Sequence, residues 1–291
     1  MSAFLALLSA FCNGCSAVLQ RLANIDAPPD KGVVKVAWFL IRQPLWLLGG
    51  AFLVGTLLFS AGALYFGTLA VVQPLLVTEL VFTLGLRQVW LHDRIPGRSW
   101  LAALLICGGL AGFLVIAQPK EGSRVPTLGM WLVVVFTRAA VVGILLAFAQ
   151  RGSPARRAAL YGAATGLVWS VDAAFVKATT NLLAAQGWLA LLVHWPLYGA
   201  VITGVLGTFL LQASLHVGPL AASQSAVLIV DPLASIVLGI EVFGEQLNNS
   251  APAITGQVLS LAMMALGVVL ISKWAPPSME PLRRGKQLSP T

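Results

Sequence analysis

Glu79 and Asp231 are the residues best placed to do chemistry, because each carboxylate lies about ten to twelve residues inside a long apolar stretch. A charged group near the middle of a bilayer is costly, and where it is kept it faces a bundle interior or a polar cavity. Such a carboxylate can bind a cation or exchange a proton. Pro74 precedes Glu79, Pro232 follows Asp231, and Pro219 heads the second stretch. A proline removes a backbone N–H and frees a carbonyl or bends its helix, so these three are the expected hinges.

Asp172 is the next candidate, with Asn13 and Ser170 as its expected neighbours. Trp169 lies deeper than the other tryptophans and is expected to line a cavity, whereas Trp38, Trp46, Trp90, Trp100, Trp131, Trp188, Trp195 and Trp274 mostly sit near helix ends as interface anchors. Arg138, at the middle of its own apolar segment, is expected to be a counterion for an acid or the contact for an anionic substrate. The plainer alternative is that each acid pairs with a basic residue such as Arg138 or makes a satisfied polar contact. A bound cation would use Glu79, Asp172 and Asp231 together as oxygen ligands, with the metal itself unknown. Asp93 and Glu245 are expected to mark the boundary between helix and connection, with gating as the alternative.

Several chemistries are read out. His194 and His216 lie near helix ends without an HxxxH or Cys/His cluster, which favours interfacial hydrogen bonding over metal ligation. Cys12, Cys15 and Cys107 fall in apolar segments and read as small core residues. There is no P-loop, dinucleotide fingerprint or convincing nucleophile triad, so the reading is of a protein that is neither an enzyme nor an ATP-driven pump and uses no cofactor.

These residues need elements to hold them, and composition says which. Of 291 residues 58% are hydrophobic and 10% charged, against roughly 25% charged in a soluble domain. Apolar runs of about 20 residues follow one another, which predicts an all-α polytopic membrane protein. About nine transmembrane helices are expected, over 2–22, 45–66, 69–91, 100–116, 128–150, 160–177, 188–213, 219–243 and 255–271. The first is read as retained, since no basic region or cleavage site accompanies it. Short apolar pieces at 33–41 and 182–186 are too short to span. Gly108, Gly109 and Gly112 would let another helix backbone approach the fourth.

The net charge of +8 follows the connections and sets orientation, and nucleic-acid binding is discounted. An outside N-terminus leaves thirteen basic residues in cytoplasmic connections and three, Lys120, Arg124 and Lys177, outside. The expectation is a multi-pass plasma-membrane protein with a cytoplasmic C-terminus. The stretch 44–95 aligns without a gap on 196–247, 152 residues later. Only nine of 52 positions are identical, so the case rests on the scarce acids, Glu79 on Asp231 and Asp93 on Glu245. A rival shift of 158 places Gln73-Pro74-Leu75 on Asp231-Pro232-Leu233 and loses the acids. The expected division is a first repeat over 1–117, a linking helix with its connections over 118–157, a second repeat over 158–273 and a basic, disordered cytoplasmic tail over 274–291. One linking helix inverts the second repeat, the arrangement of many secondary transporters.

The Leu45-Trp46-Leu47-Leu48-Gly49 run, the Pro74-Leu75-Leu76-Val77 run, the 166–177 half of the sixth helix and the Phe243-Gly244-Glu245 terminus resemble the drug/metabolite transporter superfamily over about residues 2–273. Helices 6 to 9 look most like its magnesium-transporter-like branch. The resemblance implies a secondary carrier with ten helices in two fives, so nine helices depart from the pattern. The expected function is secondary transport of a small solute, with helices 1, 3, 6 and 8 around the site and a proton as a candidate coupling ion. The alternatives are a divalent-cation (Mg²⁺) transporter or channel-like permease and a non-transporting membrane scaffold. Expected partners are a small-molecule or cation substrate and the lipid bilayer, and a homodimer is compatible with the reading.

Overall fold

A computed structural model describes residues 1–25, 42–91 and 95–274. The apolar piece at 33–41, Asp93 and the tail from 275 onward lie outside the described residues. The helices are α1 (Ser2–Ile25), α2 (Pro44–Tyr65), α3 (Leu69–Leu76), α4 (Glu79–Trp90), α5 (Gly97–Ala117), α6 (Leu128–Phe148), α7 (Pro154–Gln186), α8 (Ala190–Val193), α9 (Pro196–Val217), α10 (Leu220–Phe243) and α11 (Ala251–Trp274). With α3 and α4 taken as one span, nine segments among the described residues are long and apolar enough to cross a membrane. The protein is an all-α, polytopic membrane protein, and its one isolated β-bridge among the described residues joins Lys120 to Gln246.

Local chemistry fixes the helix ends. Pro44 and Pro196 open α2 and α9, where the missing N–H would have no intrahelical partner anyway. Thr68, Thr127 and Ser153 cap α3, α6 and α7 by accepting hydrogen bonds from Val71, Met130 and Arg156. Gly187 and Gly244 end α7 and α10 at positive φ, +79° and +68°, which glycine reaches without a Cβ clash.

Several expected boundaries move, among them the seventh span, which is expected over 188–213 and runs over Pro196–Val217 after the short α8. The sixth span, expected over 160–177, runs for 33 residues, from Pro154, four residues before the expected second repeat, to Gln186. Its first turn carries Arg156 and Arg157, and its last turns carry Lys177, Thr179, Thr180 and Asn181. Polar residues lower hydropathy without breaking a helix, and no glycine or proline intervenes after Gly166. The piece 182–186 is therefore the end of α7, and at about 1.5 Å per residue this helix outruns a hydrocarbon core of roughly 30 Å. Lys177 lies inside α7 and is buried, so it is not the connection charge expected of it. The third span also differs, breaking at Val77 and Thr78 into α3 and α4.

Small residues set how closely the helices pack. α5 lies on α11, where a Cβ on Gly109 would stand 2.5 Å from the Ser260 carbonyl oxygen and 2.6 Å from the Met264 nitrogen. α7 lies on α10 through Gly162 and Gly166, and α1 meets α4 at Gly14. One hydrophobic core joins Leu69, Val72 and Leu75 of α3 to Phe175 of α7 and Leu238, Val242 and Phe243 of α10. A second joins Leu84 of α4 to Ile106 of α5 and Met264 and Val268 of α11. At the end bearing Met1, Gly67 abuts Ser2, and the connection after α5 is hydrogen-bonded to the one after α10. At the opposite end Gly218 abuts Pro154, and Arg98 lies over the Trp274 ring.

The Gly109→Ala variant should lose about 1–3 kcal/mol of stability, because its methyl group meets immovable backbone. Gly143→Ala, with nothing within 4 Å of its Cβ, should change stability by no more than about 0.5 kcal/mol. Thermal unfolding of the two purified variants in detergent measures the difference.

Candidate functional site

The break in the third span presents Glu79. Pro74 has no N–H to continue the helix, and the turn tightens as Val77 and Thr78 donate to the Pro74 and Leu75 carbonyls three residues back, at 3.2 and 3.1 Å. The Thr78 hydroxyl donates to the same Leu75 carbonyl at 2.7 Å. Glu79 is thus the first residue of α4, whose next N–H groups, those of Leu80, Val81 and Phe82, donate to the Val77 and Thr78 carbonyls. The Asn13 side-chain amide donates to Glu79 Oε2. Next to it, Gly14 lets α1 come close enough for that bond, since a Cβ there would be 3.2 Å from the Thr83 nitrogen.

Asp231 and Asp172 stand on the other two long helices of the centre. On α10, the Ser235 hydroxyl donates to Asp231 Oδ1 at 3.2 Å, one turn on. Pro232 sits within α10, which stays helical through it while the Leu228 carbonyl loses its N–H donor. On α7, Asp172 Oδ1 accepts from the Thr203 hydroxyl of α9 at 3.1 Å. All three acids are half-buried. Asp231 lies within electrostatic range of both Asp172 and Glu79, but the three do not form the shared set of metal ligands expected of them. Each has a neutral hydrogen-bond donor, and the ion pairs Arg138–Glu241 and Lys177–Glu245 include none of them. Among the described residues no group of three or more His, Cys, Asp or Glu side chains could hold a metal ion.

The remaining candidates fall elsewhere. Asn13 meets Glu79 and not Asp172, because α1 packs against α4. Ser170 is fully buried and donates to the Leu167 carbonyl at 2.7 Å, so it is a neighbour of Asp172 in sequence only. Trp169 sets its indole edge against Gly207 of α9. Pro219 caps α10 at the end remote from Glu245. Arg138 pairs with Glu241 at 3.1 Å and not with a central acid, and its Nε is buried without a partner. It shares a helix face with Trp131 and Val134, which turns it toward the upper part of α10.

Glu245 and Lys177 form the arrangement that sequence reasoning missed. Their side chains, 0% and 7% exposed, meet at 2.7 Å. Glu245 Oε1 also accepts from the Leu69 nitrogen at 2.7 Å and Oε2 from the Ala70 nitrogen at 3.0 Å. Lys177 Nζ donates further to the Gly67 carbonyl at 3.0 Å and lies over the Phe243 ring. The available signal was Lys177 itself, a cation in a segment that remains a good helix former on both sides. Above this pair, a 450 Å³ cavity is bordered by Trp131, Trp195, Phe243, Arg124, Asn181 and His194.

Comparison with known proteins adds one relative. The chain is 29% identical over 273 residues, 93% of its length, to an uncharacterized protein of Corynebacterium glutamicum, covering 91% of that protein. No family model matches the chain, and no solved structure matches it.

Because Arg138 stands apart from the acids, Arg138→Gln should leave ligand affinity at the acidic centre within about twofold, or roughly 0.4 kcal/mol. Isothermal titration of the purified variant with any cation that the parent binds would check this, and a loss of tenfold or more would return Arg138 to the site.

Proposed function

We propose that this protein is a secondary transporter that moves a small solute by alternating access, with Glu79, Asp231 and Asp172 binding a cationic solute or a coupling proton. The observation that carries the reading is that three carboxylates on three helices lie inside the membrane-spanning bundle with neutral hydrogen-bond donors and no cationic partner among the described residues, one of them at a helix break. A carboxylate charge at membrane depth without a cationic partner is costly, and a bound cation or proton relieves it, which gives each acid a reason to load. Irregular backbone at membrane depth, as at Val77 and Thr78, is characteristic of transporter sites.

The internal symmetry supports the same reading. Pro44–Tyr65 and Pro196–Val217 are both 22-residue helices, displaced by the 152 residues of the sequence alignment. Gly14 and Gly166 are related by the same displacement, and they admit the helices bearing Glu79 and Asp231 respectively. Two inverted halves over 1–117 and 158–273, joined through α6, fit this pattern and the resemblance to the drug/metabolite transporter superfamily. The Met1 end faces outward and the C-terminus the cytoplasm of a plasma-membrane carrier, and transport involves no enzymatic step. A divalent cation is the second reading: no three acids among the described residues could hold a metal directly, but Mg²⁺ commonly keeps much of its water shell and is held by only one or two carboxylates.

Flux into proteoliposomes tests the proposal, with Mg²⁺, amino acids and cationic metabolites offered with and without a pH gradient. Glu79→Gln and Asp231→Asn should each lower flux at least tenfold, about 1.4 kcal/mol in the rate-limiting free energy, while gel filtration shows them folded. Full activity in both variants would sink the role given to the acids. Movement of Mg²⁺ alone, independent of the pH gradient, would select the second reading.

A further inference from the structure

We propose that Glu245 and Lys177 are the latch of a gate at the Met1 end, an inference that rests on the alternating-access reading above. The pair joins three separate pieces of chain. Glu245 follows the terminus of α10, the helix that carries Asp231; its carboxylate holds the first two N–H groups of α3, and Lys177 belongs to α7, the helix that carries Asp172. Through Gly67, Lys177 also holds the turn between α2 and α3. Each helix leading to the acidic centre therefore ends in, or passes through, the same buried contact.

The surroundings keep this contact dry and localised. A Cβ on Gly239 would overlap Glu245 Oε2, so glycine there provides the space in which the carboxylate turns back under its own helix. Over it, Lys120 and Gln246 exchange backbone hydrogen bonds at 2.9 and 3.1 Å, and Asn248 donates to the Ala117 carbonyl at 2.8 Å. Beneath it lie Leu69, Val72, Phe175, Leu238 and Val242, which leave little or no surface open.

A buried ion pair with all its hydrogen bonds made is stable only while both partners stay together, because either charge left alone in the interior is strongly disfavoured. Water removes that constraint, since it solvates each charge separately. The contact is consequently shut when dry and open when wetted, with little stability between. α3 is a separate eight-residue helix hinged at Val77 and Thr78, directly before Glu79. Its N-terminus can leave Glu245 without unwinding α4, so the hinge beside the binding acid and the latch at the gate belong to one moving piece.

Cysteine accessibility in the full-length protein tests the latch. Ala174 is fully buried two residues beyond Asp172 toward Lys177, and Ala174→Cys, with Cys12, Cys15 and Cys107 changed to Ala, reports on the space under the gate. In nanodiscs, a membrane-impermeant maleimide should label this site at least fivefold faster in Glu245→Gln and in Lys177→Met than in the parent. The double variant Glu245→Gln/Lys177→Met leaves no orphaned charge and provides the measurement if a single variant misfolds. It too should label at least fivefold faster. A rate within twofold of the parent in the folded double variant overturns the latch, whatever the flux assay gives. Faster labelling in a protein that transports nothing would keep the gate and overturn the transport reading, while normal flux with unchanged labelling would do the reverse.

Discussion

A membrane interior offers no water to an unpaired polar group, and the arrangement of this protein depends on that constraint. Glu241 pairs with Arg138, and four other carboxylates within the bundle or at its edge are satisfied in three different ways. Glu79 occupies a helix N-terminus and takes the amide of Asn13. Asp231 and Asp172 take hydroxyl groups from Ser235 and Thr203. Glu245 is the only one of the four given a cation and two backbone N–H groups, and it is the only one fully buried. The four environments differ accordingly: Glu79, Asp231 and Asp172 are half-buried, each with a neutral donor, whereas Glu245 is enclosed with its charge neutralised.

The same constraint explains why the third span is broken where it is. Pro74 denies the helix one donor, the following turn tightens onto the Pro74 and Leu75 carbonyls, and α4 starts afresh with Glu79 as its first residue. An unbroken helix would carry Glu79 in its interior, where no helix N-terminus stands beside it. Glycine does comparable work between helices. Gly14 brings Asn13 within reach of Glu79, and Gly166 brings α7 against the Asp231 backbone, so the polar centre exists because the helices around it approach closely.

Much of this was legible in the amino-acid sequence. The nine apolar runs and the glycines of α5 follow from residue type and spacing, which hydropathy reads directly. The ends of α7 were not legible that way, since Arg156, Arg157, Thr179 and Asn181 lower hydropathy while remaining helical. Arg138 was legible as a counterion for an acid, but mid-helix position gives depth without direction, and that its partner is Glu241 depends on the packing of its helix face with Trp131 and Val134.

The sequence by itself determined the class of protein, the approximate spans and the carboxylates worth watching, because the cost of burying charge in lipid acts on each segment separately. Only the tertiary structure decided the pairings. Asn13 with Glu79 joins residues 66 positions apart, Lys177 with Glu245 joins residues 68 apart, and Glu245 reaches a backbone nitrogen 176 positions away. Such contacts are set by which helix faces pack together, and an isolated helix carries no record of its neighbour.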